Sequence, residues 1–65
     1  MVDLVTLEND LQKAKDRLVP AEEALRAAER QGNLAAHKKA KALVDNINQE
    51  ISSIINEMKS VLRSS

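Results

Sequence analysis

Apolar residues in the first half of the chain recur at alternating spacings of three and four residues. They are Leu4, Leu7, Leu11, Ala14, Leu18, Ala21, Leu25 and Ala28. This spacing is the a/d pattern of a coiled coil, in which one stripe of each helix faces a neighbouring helix. Asp3 stands just before the first leucine, where a helix N-cap or a first-turn acid is expected. The pattern therefore predicts a helix over about residues 3–31.

Pro20 lies inside this helical pattern. A proline in the middle of a helix removes a hydrogen bond and kinks the helix, whereas a proline at the first position can begin a new one. Val19 is a poor N-cap, and the apolar spacing continues through Pro20 without a shift. We therefore expect one first helix, bent at residues 17–20, rather than two separate helices.

The second half repeats the pattern with larger side chains. The spaced positions are Ala40, Val44, Ile47, Ile51, Ile54, Met58 and Val61, and Leu43, Ile55 and Leu62 widen the stripe. The pattern predicts a second helix over about residues 34–62, followed by the polar tail "RSS". No segment alternates with the period of two that is typical of strands.

The chain's single glycine lies between the two patterns. Glycine commonly occupies the left-handed position that ends a helix, and asparagine is a good N-cap. Gly32 is thus expected to end the first helix and Asn33 to begin the second. The turn is predicted at residues 32–33.

The two apolar stripes match each other if the chain reverses at this turn. Residues that face each other then have numbers with a constant sum: Leu4 and Val61, Leu7 and Met58, Leu11 and Ile54, Ala14 and Ile51, Leu18 and Ile47, Ala21 and Val44, Leu25 and Ala40, and Ala28 and His37. A single long helix would not require this agreement. The sequence predicts an all-α fold, a coiled-coil-like antiparallel hairpin of two helices that occupies residues 1–65 as one domain.

Charged residues beside the predicted seam face each other as well. The expected neighbours are Arg17 and Glu50, Glu22 and Lys41, and the like-charged Asp10 and Glu57.

The second helix carries more large apolar residues than the first helix can cover. An uncovered apolar surface commonly marks an interaction site. We expect a partner protein or self-association to cover the surplus. The predicted partner-binding residues are Leu43, Ile47, Ile51, Ile55, Met58 and Leu62 in the second helix and Val5 and Val19 in the first. Isolated exposed apolar residues are also common on ordinary surfaces, and this alternative applies most to Val5 and Val19.

Composition narrows the possible partners. The 65 residues include ten acidic and ten basic side chains but no Phe, Tyr, Trp or Cys. Zero net charge gives little long-range attraction to nucleic acid or to an anionic membrane. The absence of cysteine excludes disulfides and thiolate zinc sites. No apolar run approaches 18 residues, and no export signal is recognisable, so we expect a soluble chain that does not insert into membranes.

No arrangement of side chains indicates catalysis. His37 is the only histidine and has no second histidine or cysteine with which to share a metal. Glu22 and Glu23 are neighbours on a helix without a cleft, and no glycine-rich phosphate loop exists. We expect neither an enzyme nor a metal or cofactor. The basic segment "HKKAK" (37–41) leaves an RNA-binding adaptor as an alternative, although a solvated face fits the zero net charge better.

Three segments resemble a known family. "TLENDL" (6–11), "ERQGN" (29–33) and "AKALVDNINQEISSII" (40–55) are similar to the small YscE-type co-chaperones of bacterial type III secretion. The resemblance implies a hairpin that binds a TPR-like helical chaperone and helps to keep the secretion needle subunit soluble in the bacterial cytoplasm before export. It implies no catalytic residues. The alternative from another class is a structural module in which two hairpins associate into a four-helix bundle.

Overall fold

Two long antiparallel helices make up the computed structural model, which describes residues 3–64. Helix α1 spans Leu4–Gln31 and α2 spans Leu34–Ser64. The two helices pack against each other in a rod whose Cα atoms extend over 49 × 14 × 14 Å. No strand occurs within residues 3–64. The predicted all-α hairpin is confirmed. The end residues of the predicted 1–65 domain, at positions 1, 2 and 65, lie outside the described residues.

Helix α1 begins at an N-cap, as its sequence predicts. Asp3 has extended backbone angles, and its Oδ1 accepts a hydrogen bond of 2.7 Å from the backbone N–H of Thr6. Its carbonyl oxygen accepts a second bond, of 3.2 Å, from the N–H of Leu7. The Asp3 side chain therefore satisfies the Thr6 N–H, which has no partner within the helix, and the bond from Leu7 is the first regular backbone bond of α1.

Helix α1 continues through Pro20 without a break, so the prediction of one helix instead of two is confirmed. The proline is exposed. Its ring thus lies away from α2 and does not interfere with the packing of the two helices. The bend expected at residues 17–20 stays a prediction.

The reversal is a Schellman turn, in which a left-handed residue ends the helix. Gly32 has φ 65° and ψ 25°. Its N–H donates to the carbonyl of Glu29 at 3.2 Å, and the N–H of Asn33 donates to that of Ala28 at 3.1 Å. Asn33 then caps α2, because its Oδ1 accepts from the N–H of Ala36 at 3.1 Å. Both roles predicted for this turn are confirmed.

Helix α2 ends two residues later than the apolar pattern indicates. The pattern stops at Leu62, but the helix continues through Arg63 to Ser64, whose hydroxyl donates to the carbonyl of Ser60 at 2.6 Å. Polar residues in a last turn carry no periodic signal, so the sequence does not reveal this end.

One ion pair between the helices identifies their register. Arg17 Nη2 lies 2.5 Å from Glu50 Oε2. Sliding one helix by a turn would move these two groups apart by about 5.4 Å. The Arg17–Glu50 contact predicted from the matched stripes is confirmed, whereas Glu22 and Lys41 form no salt bridge in the structure described for residues 3–64.

A candidate protein-interaction face

The two long sides of the hairpin differ in chemistry, and heptad positions make the difference clear. Helix α1 has Leu4, Leu11, Leu18 and Leu25 at a and Leu7, Ala14, Ala21 and Ala28 at d. Helix α2 has His37, Val44, Ile51 and Met58 at a and Ala40, Ile47, Ile54 and Val61 at d. Because the helices are antiparallel, the e positions of both lie on one side and the g positions of both on the other. We call these sides the e face and the g face.

The g face is polar over the half of the hairpin farthest from the turn. It contains the Arg17–Glu50 ion pair and a shallow groove. The groove is lined by side chains at d, g, c and f positions, namely Leu7, Asp10, Lys13, Asp16, Arg17, Glu50, Ser53, Ile54 and Glu57. Asp10 and Glu57, which the matched stripes predict to be neighbours, both line this groove together with Lys13 and Arg17.

Burial along the seam follows the heptad position. Each layer of the seam contains one a residue and one d residue, and in six of the eight layers the d residue is buried while the a residue is only half-buried. Within residues 3–64, the six buried apolar residues are Leu7, Ala14, Ala21, Ala28, Ala40 and Ile47. Both helices are thus turned so that their d positions face inward.

The half-buried a residues lie toward the e face. On a helix with 100° per residue, a and e positions are only about 40° apart, whereas d lies nearer to g. The a rows of both helices therefore form an apolar strip along the e face. At the end away from the turn, this strip is extended by two exposed e residues, Ile55 and Leu62, which are 36% and 60% exposed.

The structure places six of the eight predicted partner-binding residues on this side. Ile51 and Met58 occupy half-buried a positions, and Ile55 and Leu62 occupy e positions. Val5 and Val19 are exposed b residues on the shoulder of α1 that adjoins the e face.

The other two predicted residues do not belong to the e face. Ile47 is only 4% exposed and packs in the hairpin core, so no partner can contact it while the helices stay together. Leu43 is 50% exposed but occupies a g position on the opposite side. Leu43 and Ile55 both widen the apolar stripe of α2, and the prediction grouped them for that reason. At 100° per residue they lie about 120° apart around the helix, so the spacing alone separates them.

Sequence reasoning missed part of the face. Leu34, beside the turn, is 84% exposed at an e position, and the leucines at the a positions of α1 are half-buried. The sequence could have placed Leu34 on the e face, because it precedes Lys41, another e residue, by one heptad. It was missed because the periodic apolar stripe of α2 begins only at Ala40.

Charges of both signs border the apolar strip. The e positions of α1 carry Glu8, Lys15, Glu22 and Glu29, and α2 contributes Lys41. These residues are exposed. The border therefore has no single dominant charge.

His37 lies on the e face at the turn end. Its Nε2 is 3.4 Å from Glu29 Oε1, and the side chain is partly exposed. Within residues 3–64, no group of three potential metal ligands comes together. The contact between His37 and Glu29 is an ordinary contact at the protein surface.

The lysines of the basic segment point in different directions. Lys38, Lys39 and Lys41 are exposed at b, c and e positions, which spread over about 160° of the circumference of α2. A concave or compact basic patch does not result. The RNA-binding alternative stays a prediction without a matching surface.

Comparison with known proteins finds no family model that matches the chain, and neither the curated proteins nor the solved structures contain a significant match. The resemblance to YscE-type co-chaperones therefore stays a prediction. Across residues 3–64, neither helix has an apolar stretch sufficient to cross a bilayer.

Proposed function

We propose that this chain is a non-catalytic interaction protein that packs its e face against the helices of a partner protein. The observation that supports this function most is the one-sided burial of the seam. The a residue is half-buried in all eight layers, whereas the d residue is buried in six of them, so a strip of Leu, Val, Ile and Met remains in contact with water along one side.

The small core of the hairpin makes such a partner energetically useful. Among the described residues, four of the six that are buried are alanines, which bury little apolar area. Each additional 100 Å² of apolar surface removed from water would contribute about 2.5 kcal/mol, at about 25 cal/mol per Å². A partner that covers the a rows would therefore stabilise the hairpin as well as bind it.

The specific form of the proposal is a co-chaperone of type III secretion. In this role the hairpin binds a TPR-like chaperone in the bacterial cytoplasm, and the pair keeps the needle subunit soluble before export. The resemblance of residues 6–11, 29–33 and 40–55 to YscE-type proteins supports this role. TPR repeats are themselves pairs of helices, and a strip two helices wide can pack against such pairs by ridges-into-grooves contacts.

Coexpression with a TPR-like chaperone and a needle subunit tests this function. We expect a stable complex with the wild-type hairpin, measured by size-exclusion chromatography with light scattering. The double variant Ile55→Asp/Leu62→Asp should lose the complex, because it places two carboxylates on the e face. Leu43→Asp is the control, since it introduces one such carboxylate at an exposed leucine on the g face.

Loss of the complex in the double variant but not in the control would support the e face as the binding site. Equal binding by all three proteins would contradict it. Circular dichroism of each variant verifies that the helices remain folded. A wild-type protein that binds none of the TPR-like chaperones and needle subunits offered would count against the co-chaperone role.

A further inference from the structure

We propose that, in the absence of a different partner, the e faces of two copies of this chain pack together into a four-helix bundle. The inference rests on the proposed function, because it assigns a second occupant to the same face. The exposed area of the whole hairpin, the shape of the e face and the charges of that face suit a second copy.

The surface area of the hairpin is larger than that of a compact protein of its mass. It exposes 5008 Å², whereas a compact monomer of 7.2 kDa exposes about 4,100 Å² by the usual scaling with mass. The excess is roughly 900 Å². A stable interface of standard size buries about 800 Å² per partner, which is close to this excess, so packing against a second copy would bring the exposed area per chain near that of a compact protein.

The shape of the e face matches a four-helix bundle. In such a bundle every helix contributes both its a and its d positions to the core. The hairpin has already buried most of its d positions between its own helices and has left its a positions half-buried on one side. A second hairpin packed against that side would bury the a rows of all four helices in one core.

The charges of the face also suit a second copy. Its α1 border carries Glu8, Glu22 and Glu29 together with Lys15, and its α2 border carries Lys41. A face with both signs can pair with itself, whereas a partner with one strong charge would meet like charges. Because the whole chain has zero net charge, two copies do not repel each other at long range.

The oligomeric state of the purified chain tests this proposal. Interfaces of standard size range from micromolar to picomolar affinity, so sedimentation equilibrium up to about 100 µM should give twice the mass of 7.2 kDa. Ile55→Lys should raise the dimer dissociation constant by roughly tenfold or more, as expected for a contact residue in an interface. Leu43→Lys, on the g face, should leave the dissociation constant unchanged.

The lysine variant is chosen to preserve the hairpin. Ile55 and Glu8 occupy facing e positions across the seam, so a cation at position 55 gains an anionic neighbour. Circular dichroism at equal concentration verifies its helix content. A wild-type protein that stays monomeric, a mass other than twice the monomer, or a dimer broken by Leu43→Lys and not by Ile55→Lys would each overturn the proposal.

The same samples separate this inference from the proposed function. A monomeric wild type that still binds a helical partner, and loses it in Ile55→Asp/Leu62→Asp, would end the dimer and leave the proposed function standing. A dimer that binds none of the offered helical partners would support the four-helix bundle and count against the proposed function.

Discussion

At the scale of single residues, two positions define the ends of α1. Asp3 caps its start, and Gly32 ends it in a left-handed conformation whose two backbone hydrogen bonds join α1 to the turn. These roles could be predicted from residue type alone, because both depend on local chemistry. The Asp side chain supplies an acceptor to the free N–H groups of a first turn, and glycine adopts positive φ without the steric cost that a Cβ imposes.

Replacing Gly32 by alanine should lower the free energy of unfolding by about 1 kcal/mol. A Cβ at this position would meet no atom within 4 Å, so the cost comes from the left-handed backbone and not from a clash. Gly32→Asn should cost less, since asparagine tolerates this conformation. Urea unfolding followed by circular dichroism at one fixed protein concentration measures both variants. Equal stability of Gly32→Ala and the wild type would contradict the conformational argument.

The Asp3 cap predicts a dependence of stability on pH. Hydrogen bonds from Thr6, chiefly from its backbone N–H, lower the pKa of the Asp3 carboxyl below its ordinary value of 3.8. A carboxyl whose pKa is lower in the folded state stabilises that state above pH 3.8 and loses this contribution as the pH falls through the lowered value. Asp3→Asn keeps a capping acceptor but does not titrate.

We therefore expect Asp3→Asn to lose less stability than the wild type between pH 5 and pH 2, on either side of the ordinary pKa of 3.8. Thermal unfolding of both proteins at each pH gives the comparison. The other carboxylates titrate in both proteins, so the difference isolates the cap. An identical decline in the two melting temperatures would show that the cap does not contribute.

At the scale of the helices, the alternation of large and small residues decides how α1 and α2 meet. The d positions of α1 include Ala14, Ala21 and Ala28, all buried. The distance between packed helices depends on the side chains at their contact, so alanines permit a close approach of the two backbones. The larger side chains at the a positions then extend over the e face, because less space remains for them between the helices.

Enlarging one of these alanines tests that account. Ala21→Leu inserts three carbon atoms at a site that is 3% exposed and should lower the free energy of unfolding by about 1–3 kcal/mol through overpacking. Ala24→Leu is the matched control at an exposed g position of the same helix, where a change within about 0.5 kcal/mol is expected. Urea unfolding of both variants provides the measurement. Similar losses at the two sites would indicate that the close approach of the helices is unimportant.

At the scale of the whole molecule, the hairpin is a rod with a thin core and one apolar side. A two-helix rod cannot enclose its seam, because each helix shields the other from one direction only. Because of this geometry, the predicted surplus of apolar residues lies at the surface. The partner and dimer experiments test the molecule at this scale. Both experiments test the e face, which the substitutions of Ile55 alter and the substitutions of Leu43 do not.

Much of the fold follows from the sequence because its causes are local or periodic. The spacing of apolar residues predicts both helices, Gly32 and Asn33 predict the turn, and the constant sum of facing positions predicts the register that the Arg17–Glu50 pair confirms. The late end of α2 at Ser64 could not be predicted, since its hydrogen bond involves residues without periodic signal.

The sequence by itself thus determined the two helices, their turn and their register, whereas the tertiary structure alone decided which side of the hairpin is apolar. In the sequence pattern, a and d positions both belong to the seam, and nothing in that pattern says which of the two is more deeply buried. Only the rotation of each helix about its axis places d inside and a at the surface. For the same reason Ile47 at a d position is buried and Ile51 at an a position is only half-buried, although both belong to one apolar stripe in the sequence.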